Sequence, residues 1–153
     1  MAHLAGGAEF FAGAIARGLQ GGTAPLGGWR PAGSANAAQA AEMIAQSARA
    51  LRQRAGDQLL ATFDTANDHL NQVFAGLRPQ DWESPCYHPW RIIPARQFVD
   101  LRLQELALHG WDIQSCLEPS AHLSPACLPA PAASVIPNST ARCEDFVQVI
   151  SVA

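Results

Sequence analysis

The sequence predicts an all-α fold, an up-down helix bundle followed by an irregular Pro-rich C-terminal tail. Three observations carry that expectation before any family is considered. Apolar residues recur at steps of three and four over 2–19, 37–76 and 98–113. Gly and Pro cluster between those stretches, at 20–36 and 77–94. Past Leu117, Pro119, Pro125, Pro129, Pro131 and Pro137 crowd together with little periodicity, which predicts a loop or disorder.

The first stretch is amphipathic: Leu4, Phe11, Ile15 and Leu19 mark one stripe, with Phe10 and Ala14 beside it. His3 falls at its very start. A helix beginning at residue 2 has no preceding turn to cap it, so it reads as the second half of an element. The segment 20–36 holds Trp29 among its glycines, where packing on the bundle is the expected role. It contains no phosphate-binding glycine motif. Asn36 or Ser34 is the expected N-cap of a long helix over 37–76, with Gly56 marking a break or kink near its middle. His69 lies among Asp and Asn residues and reads as exposed. In 77–94, Pro79, Pro85 and Pro89 forbid a long helix, and Trp82 and Trp90 are expected to pin the loop. His88 there reads as structural or exposed. Pro94 suits the first turn of the next helix. Residues 145–152 have strand composition, but a lone strand is not stable by itself.

The organising stretch is 98–113. It lacks Pro and is rich in helix formers. Arg102, Glu105, His109 and Asp112 follow at steps of three, four and three, so all four share one face. Leu101, Leu108 and Trp111 lie on an adjacent face, with Leu106 and Ile113 towards another. So much apolar circumference predicts a mostly buried helix whose polar stripe faces a site. A Glu and a His one turn apart suit a divalent metal such as Zn²⁺. Spacing alone leaves a second reading open, an ordinary hydrogen-bonded Glu–His pair on a solvated helix.

Composition narrows the function classes. At 153 residues the chain fits a single domain with an ordinary core. The net charge of −3 and the lack of any lysine or basic stripe argue against nucleic-acid binding. No run of eighteen apolar residues exists to span a membrane. Cys86, Cys116, Cys127 and Cys143 form no C-x-x-C pair, and the apolar N-terminus lacks a basic n-region, so free thiols in a reducing cytoplasm are expected.

Three segments share a resemblance: Ala-His-Leu-Ala-Gly-Gly at 2–7, Leu-Arg-Pro-Gln-Asp-Trp-Glu-Ser-Pro at 77–85, and Arg-Leu-Gln-Glu-Leu-Ala-Leu-His-Gly-Trp-Asp-Ile at 102–113. Together they resemble the mycothiol-dependent maleylpyruvate isomerase family, in its N-terminal metal-binding domain, a DinB-like four-helix bundle of bacterial cytoplasmic proteins. The resemblance covers about 1–118, leaving 119–153 as tail. It implies His3, Glu105 and His109 as ligands of a divalent metal, Zn²⁺ by preference, with mycothiol as the thiol cofactor and a small molecule as substrate. It also implies that the metal activates the thiol for isomerisation or S-transfer. Asp112 would orient His109, and Arg102 would orient Glu105 or hold an anionic substrate; a buried Arg–Asp pair that only stabilises packing is the other reading of these two. The family's first helix, with its Cys-Pro-Gly-Trp segment, has no counterpart, so a truncated bundle is expected. A metal-binding module without catalysis and an inactive fragment stand beside the enzyme reading.

Overall fold

The computed structural model describes residues 1–34, 36–118 and 120–122. The fold is all-α. Its helices are α1 (Ala2–Gly18), α2 (Ala37–Ala55), α3 (Leu59–Ala75) and α4 (Gln97–Leu117). The chain divides into two compact units, one from Met1 to Val99 and a second beginning at Asp100.

In the first unit α1 packs against both α3 and α2. The predicted stripe is the buried face: Leu4, Phe11 and Ile15 are buried, together with Ala5, Ala8, Ala12 and Ala14. Burying a side chain the size of Phe11 or Ile15 is worth about 1.5–3 kcal/mol. Leu19 departs from the stripe; it caps α1 and is 42% exposed. Met1 precedes α1 and makes no side-chain cap hydrogen bond.

The long helix over 37–76 is two helices. Asn36 caps α2 by accepting a hydrogen bond from the Gln39 N–H at 2.9 Å. Such a cap is worth about 1 kcal/mol. At Gly56 the backbone takes φ +49°, which a side chain would oppose, and a 3₁₀ turn over Gly56–Gln58 leads into α3. Gly56 is therefore a break rather than a gentle kink.

The connection after α3 is better ordered than its prolines suggest. Asp81 is buried and takes up Arg78 through the backbone N–H (2.9 Å), Nε (2.8 Å) and Nη2 (2.9 Å). That bidentate pairing depresses the Asp81 carboxyl below its usual range, the Arg78 hydrogen bonds being the main cause. Two short strands, β1 (Pro85–Cys86) and β2 (Ile93–Pro94), pair antiparallel, with Cys86 opposite Ile93. Pro94 thus sits in a strand, and the helix starts at Gln97, a correction to the expected first-turn proline. Gly18 lets α1 approach this pair: a Cβ there would run into Cys86 Sγ and stand 2.8 Å from the Pro85 carbonyl.

Aromatic rings close the end of the unit. Phe10 lies 5.5 Å from Trp29 and 6.1 Å from Tyr87, and Phe11 packs edge-on to Phe98 at 5.1 Å. The Tyr87 hydroxyl donates to the Arg30 carbonyl at 2.7 Å, tying the 20–36 loop down. Trp29 packs as expected, and Trp82 stacks on Phe74 at 6.5 Å. Trp90 does not pin the loop; it is 47% exposed. His69 is exposed, as its neighbours suggest, and faces Glu9 at 3.4 Å. His88 is half-buried, edge-on to Phe98.

Cys86 is a free, buried thiol, and burial pushes its pKa up to about 11. Cys116 is disulfide-bonded, contrary to the expectation of free thiols. Cys127, Cys143, Pro119, the prolines from 125 onward and the strand-like 145–152 lie outside the described residues. Among the described residues no helix is long and apolar enough to cross a membrane.

Candidate metal centre

The second unit contains nearly all of α4, and α4 is less buried than its leucines predict. Leu103 is 55% exposed and Ile113 54%. From Asp100 onward the buried residue of the helix is Arg102, only 4% exposed. Burial pulls the Arg102 pKa down, and the nearby Glu105 carboxylate acts in the opposite sense. The sequence pattern assigned burial to the apolar faces; the structure gives it to the cation on the polar stripe.

The stripe itself forms as the steps of three and four require. His109 Nδ1 lies 3.0 Å from Asp112 Oδ2. An imidazole with Nδ1–H donating to a carboxylate carries its lone pair on Nε2. His109 Nε2 lies 3.9 Å from Glu105 Oε2. That is too long for a hydrogen bond. It is close to the spacing of roughly 3.3 Å that two donors adopt on one tetrahedral Zn²⁺ with bonds of ~2.0–2.1 Å. Glu105, His109 and Asp112 are all partly buried, with side-chain exposures of 32%, 26% and 19%. A second local contact holds the Asp112 turn: Ser115 Oγ donates to the Asp112 carbonyl at 3.0 Å.

A histidine nitrogen, a carboxylate oxygen and a second carboxylate behind the histidine make a donor set that suits a divalent cation. His3 belongs to the first unit, on the first turn of α1, and is half-buried. Sequence spacing predicts the α4 cluster because a helix dictates it. It misses the His69–Glu9 pairing, which joins residues sixty positions apart and depends on how α3 lies on α1.

The family model of the mycothiol maleylpyruvate isomerase N-terminal domain matches residues 1–114. The chain belongs to this family. It is accordingly a mycothiol-related, isomerase-like helical domain, and the match reaches from the first turn of α1 through Asp112. No curated protein and no solved structure matches the chain. Within the mycothiol maleylpyruvate isomerase N-terminal domain family, this member carries Arg102, Glu105, His109 and Asp112 in register on α4.

Proposed function

We propose that the domain, taken as residues 1–118, binds one divalent metal ion through His3, Glu105 and His109. In this reading it activates a low-molecular-weight thiol, mycothiol, for isomerisation or S-transfer on a small-molecule substrate in the cytoplasm. The observation that carries the reading is the pairing of His109 Nδ1 with Asp112, which leaves Nε2 on the Glu105 side. Zn²⁺ is the favoured ion, since imidazole and carboxylate donors both suit it. When bound with an open position, such an ion lowers the pKa of a coordinated thiol so that thiolate forms at neutral pH.

The chain's own residues have separate tasks. Glu105 contributes a carboxylate and removes part of the ion's charge. Asp112 holds the tautomer and ring orientation of His109 and makes Nε2 more basic. Arg102 supplies a buried positive charge within reach of Glu105's field, suited to orient that carboxylate or to hold an anionic substrate.

The test is metal content of the purified chain by elemental analysis, with Glu105→Ala beside it. About one metal per chain, lost in the variant, supports the site. Absence of metal from the folded wild type after zinc is supplied would overturn it. Thiol-dependent turnover would then separate a catalytic domain from a metal-binding module that does no chemistry.

A further inference from the structure

A groove of about 340 Å³ opens in the first unit, lined by Ala5 and Glu9 of α1, Leu51 of α2, and Ala61, Thr62, Thr65 and Ala66 of α3. Its walls come from three helices, and the side chains lining it are mostly small. The groove lies wholly within the first unit and uses neither Glu105 nor His109.

Its polar chemistry is one-sided. A hydroxyl has one hydrogen and two lone pairs. Thr62 has committed its hydrogen to the Gln58 carbonyl at 2.8 Å, and Thr65 to the Ala61 carbonyl at 2.9 Å. What both threonines have left is acceptor capacity. Glu9 adds a carboxylate, itself acceptor-only when ionised. The lining side chains therefore offer acceptors, a negative charge and an apolar wall of Ala5, Leu51 and Ala66. An anion would meet the Glu9 charge, and a ligand that only accepts hydrogen bonds would find no side-chain donor. The side chain facing Glu9 is His69, whose Nδ1 lies 3.4 Å from both carboxylate oxygens, longer than a strong charge-assisted bond. Glu9 and His69 are each about half exposed, 55% and 53%, so this partner is displaceable.

We propose that this groove binds a small organic cation, a primary alkylammonium with a short apolar body, through the Glu9 carboxylate. The ammonium takes the place of His69 at Glu9 and donates its remaining hydrogens to Thr62 and Thr65, while the alkyl part lies against Leu51 and Ala66.

The test uses the full chain and n-butylammonium, followed by NMR at the amides of 5–9 and 61–66 and the methyls of Thr62 and Thr65. A ligand of this size is expected to bind at about millimolar Kd. Saturable shifts confined to those residues are expected, with n-butanol binding about tenfold more weakly and salt weakening the amine further. Glu9→Gln should weaken the amine about tenfold, and His69→Ala, which removes the competing group, should strengthen it. The shifts should persist in excess chelator, which separates the groove from the proposed metal site. Equal binding of n-butanol and n-butylammonium, no effect of Glu9→Gln, or no saturable shift at these residues would each overturn the proposal.

Discussion

His109 Nδ1 and Asp112 Oδ2 stand 3.0 Å apart across one turn of α4, and the other ring nitrogen of His109 lies on the Glu105 side. With Nδ1–H donating to that carboxylate, the lone pair falls on Nε2, the atom the proposed metal would take. Asp112→Ala should lower zinc affinity about 10–100-fold while leaving helix content unchanged. Competition with a chromophoric chelator measures it; wild-type affinity in the variant would mean Asp112 only ties the helix to itself.

His109→Ala should reduce zinc affinity at least about tenfold more than His69→Ala, because it removes a proposed donor to the metal and not merely a group that orients one. His69 faces a carboxylate too, but it is exposed, and Glu9 stands at 3.4 Å from its ring nitrogen. Equal losses in the two variants, read by the same titration, would remove His109 from the proposed site.

Two glycines of α1 should respond to alanine with opposite signs. At Gly18 the new methyl meets Cys86 Sγ and backbone atoms of Pro85 and Cys86, so Gly18→Ala should destabilise by about 1–3 kcal/mol. At Gly7 nothing lies within 4 Å, and alanine should stabilise the helix by about 0.5–1 kcal/mol. Urea midpoints of the two variants decide the matter. A neutral Gly18→Ala would mean that β1 can move away from α1 at little cost.

Cys86 has a pH signature. Its folded pKa is raised to about 11 from an ordinary value of 9.0, because burial disfavours the thiolate. The folded state thus holds the proton more tightly than the unfolded chain. The contribution is complete below pH 9 and is lost as pH rises from about 9 towards 11, where the unfolded chain sheds the proton first. Stability of the wild type should therefore fall over that window more steeply than that of Cys86→Ala, as urea unfolding at pH 8 to 11 would show. Parallel slopes would mean that the thiol is solvated in the folded protein.

The sequence by itself determined what is local. Helix periodicity places α1, the α2–α3 pair and α4, because 3.6 residues per turn is a property of the backbone. Asn36 as cap and Gly56 as break follow from side-chain and backbone chemistry at single positions. The shared face of Arg102, Glu105, His109 and Asp112 follows from steps of three and four, and the family follows from the motifs those residues form. Tertiary structure alone decided which groups become neighbours across elements. It put Trp90 in solvent, Pro94 in a strand against Pro85, and Glu9 opposite His69. It also buried Arg102 while leaving Leu103 and Ile113 largely exposed. Hydropathy cannot anticipate that, since burial depends on which face of a helix other chain segments cover, and a helix apolar on several faces leaves the choice to packing.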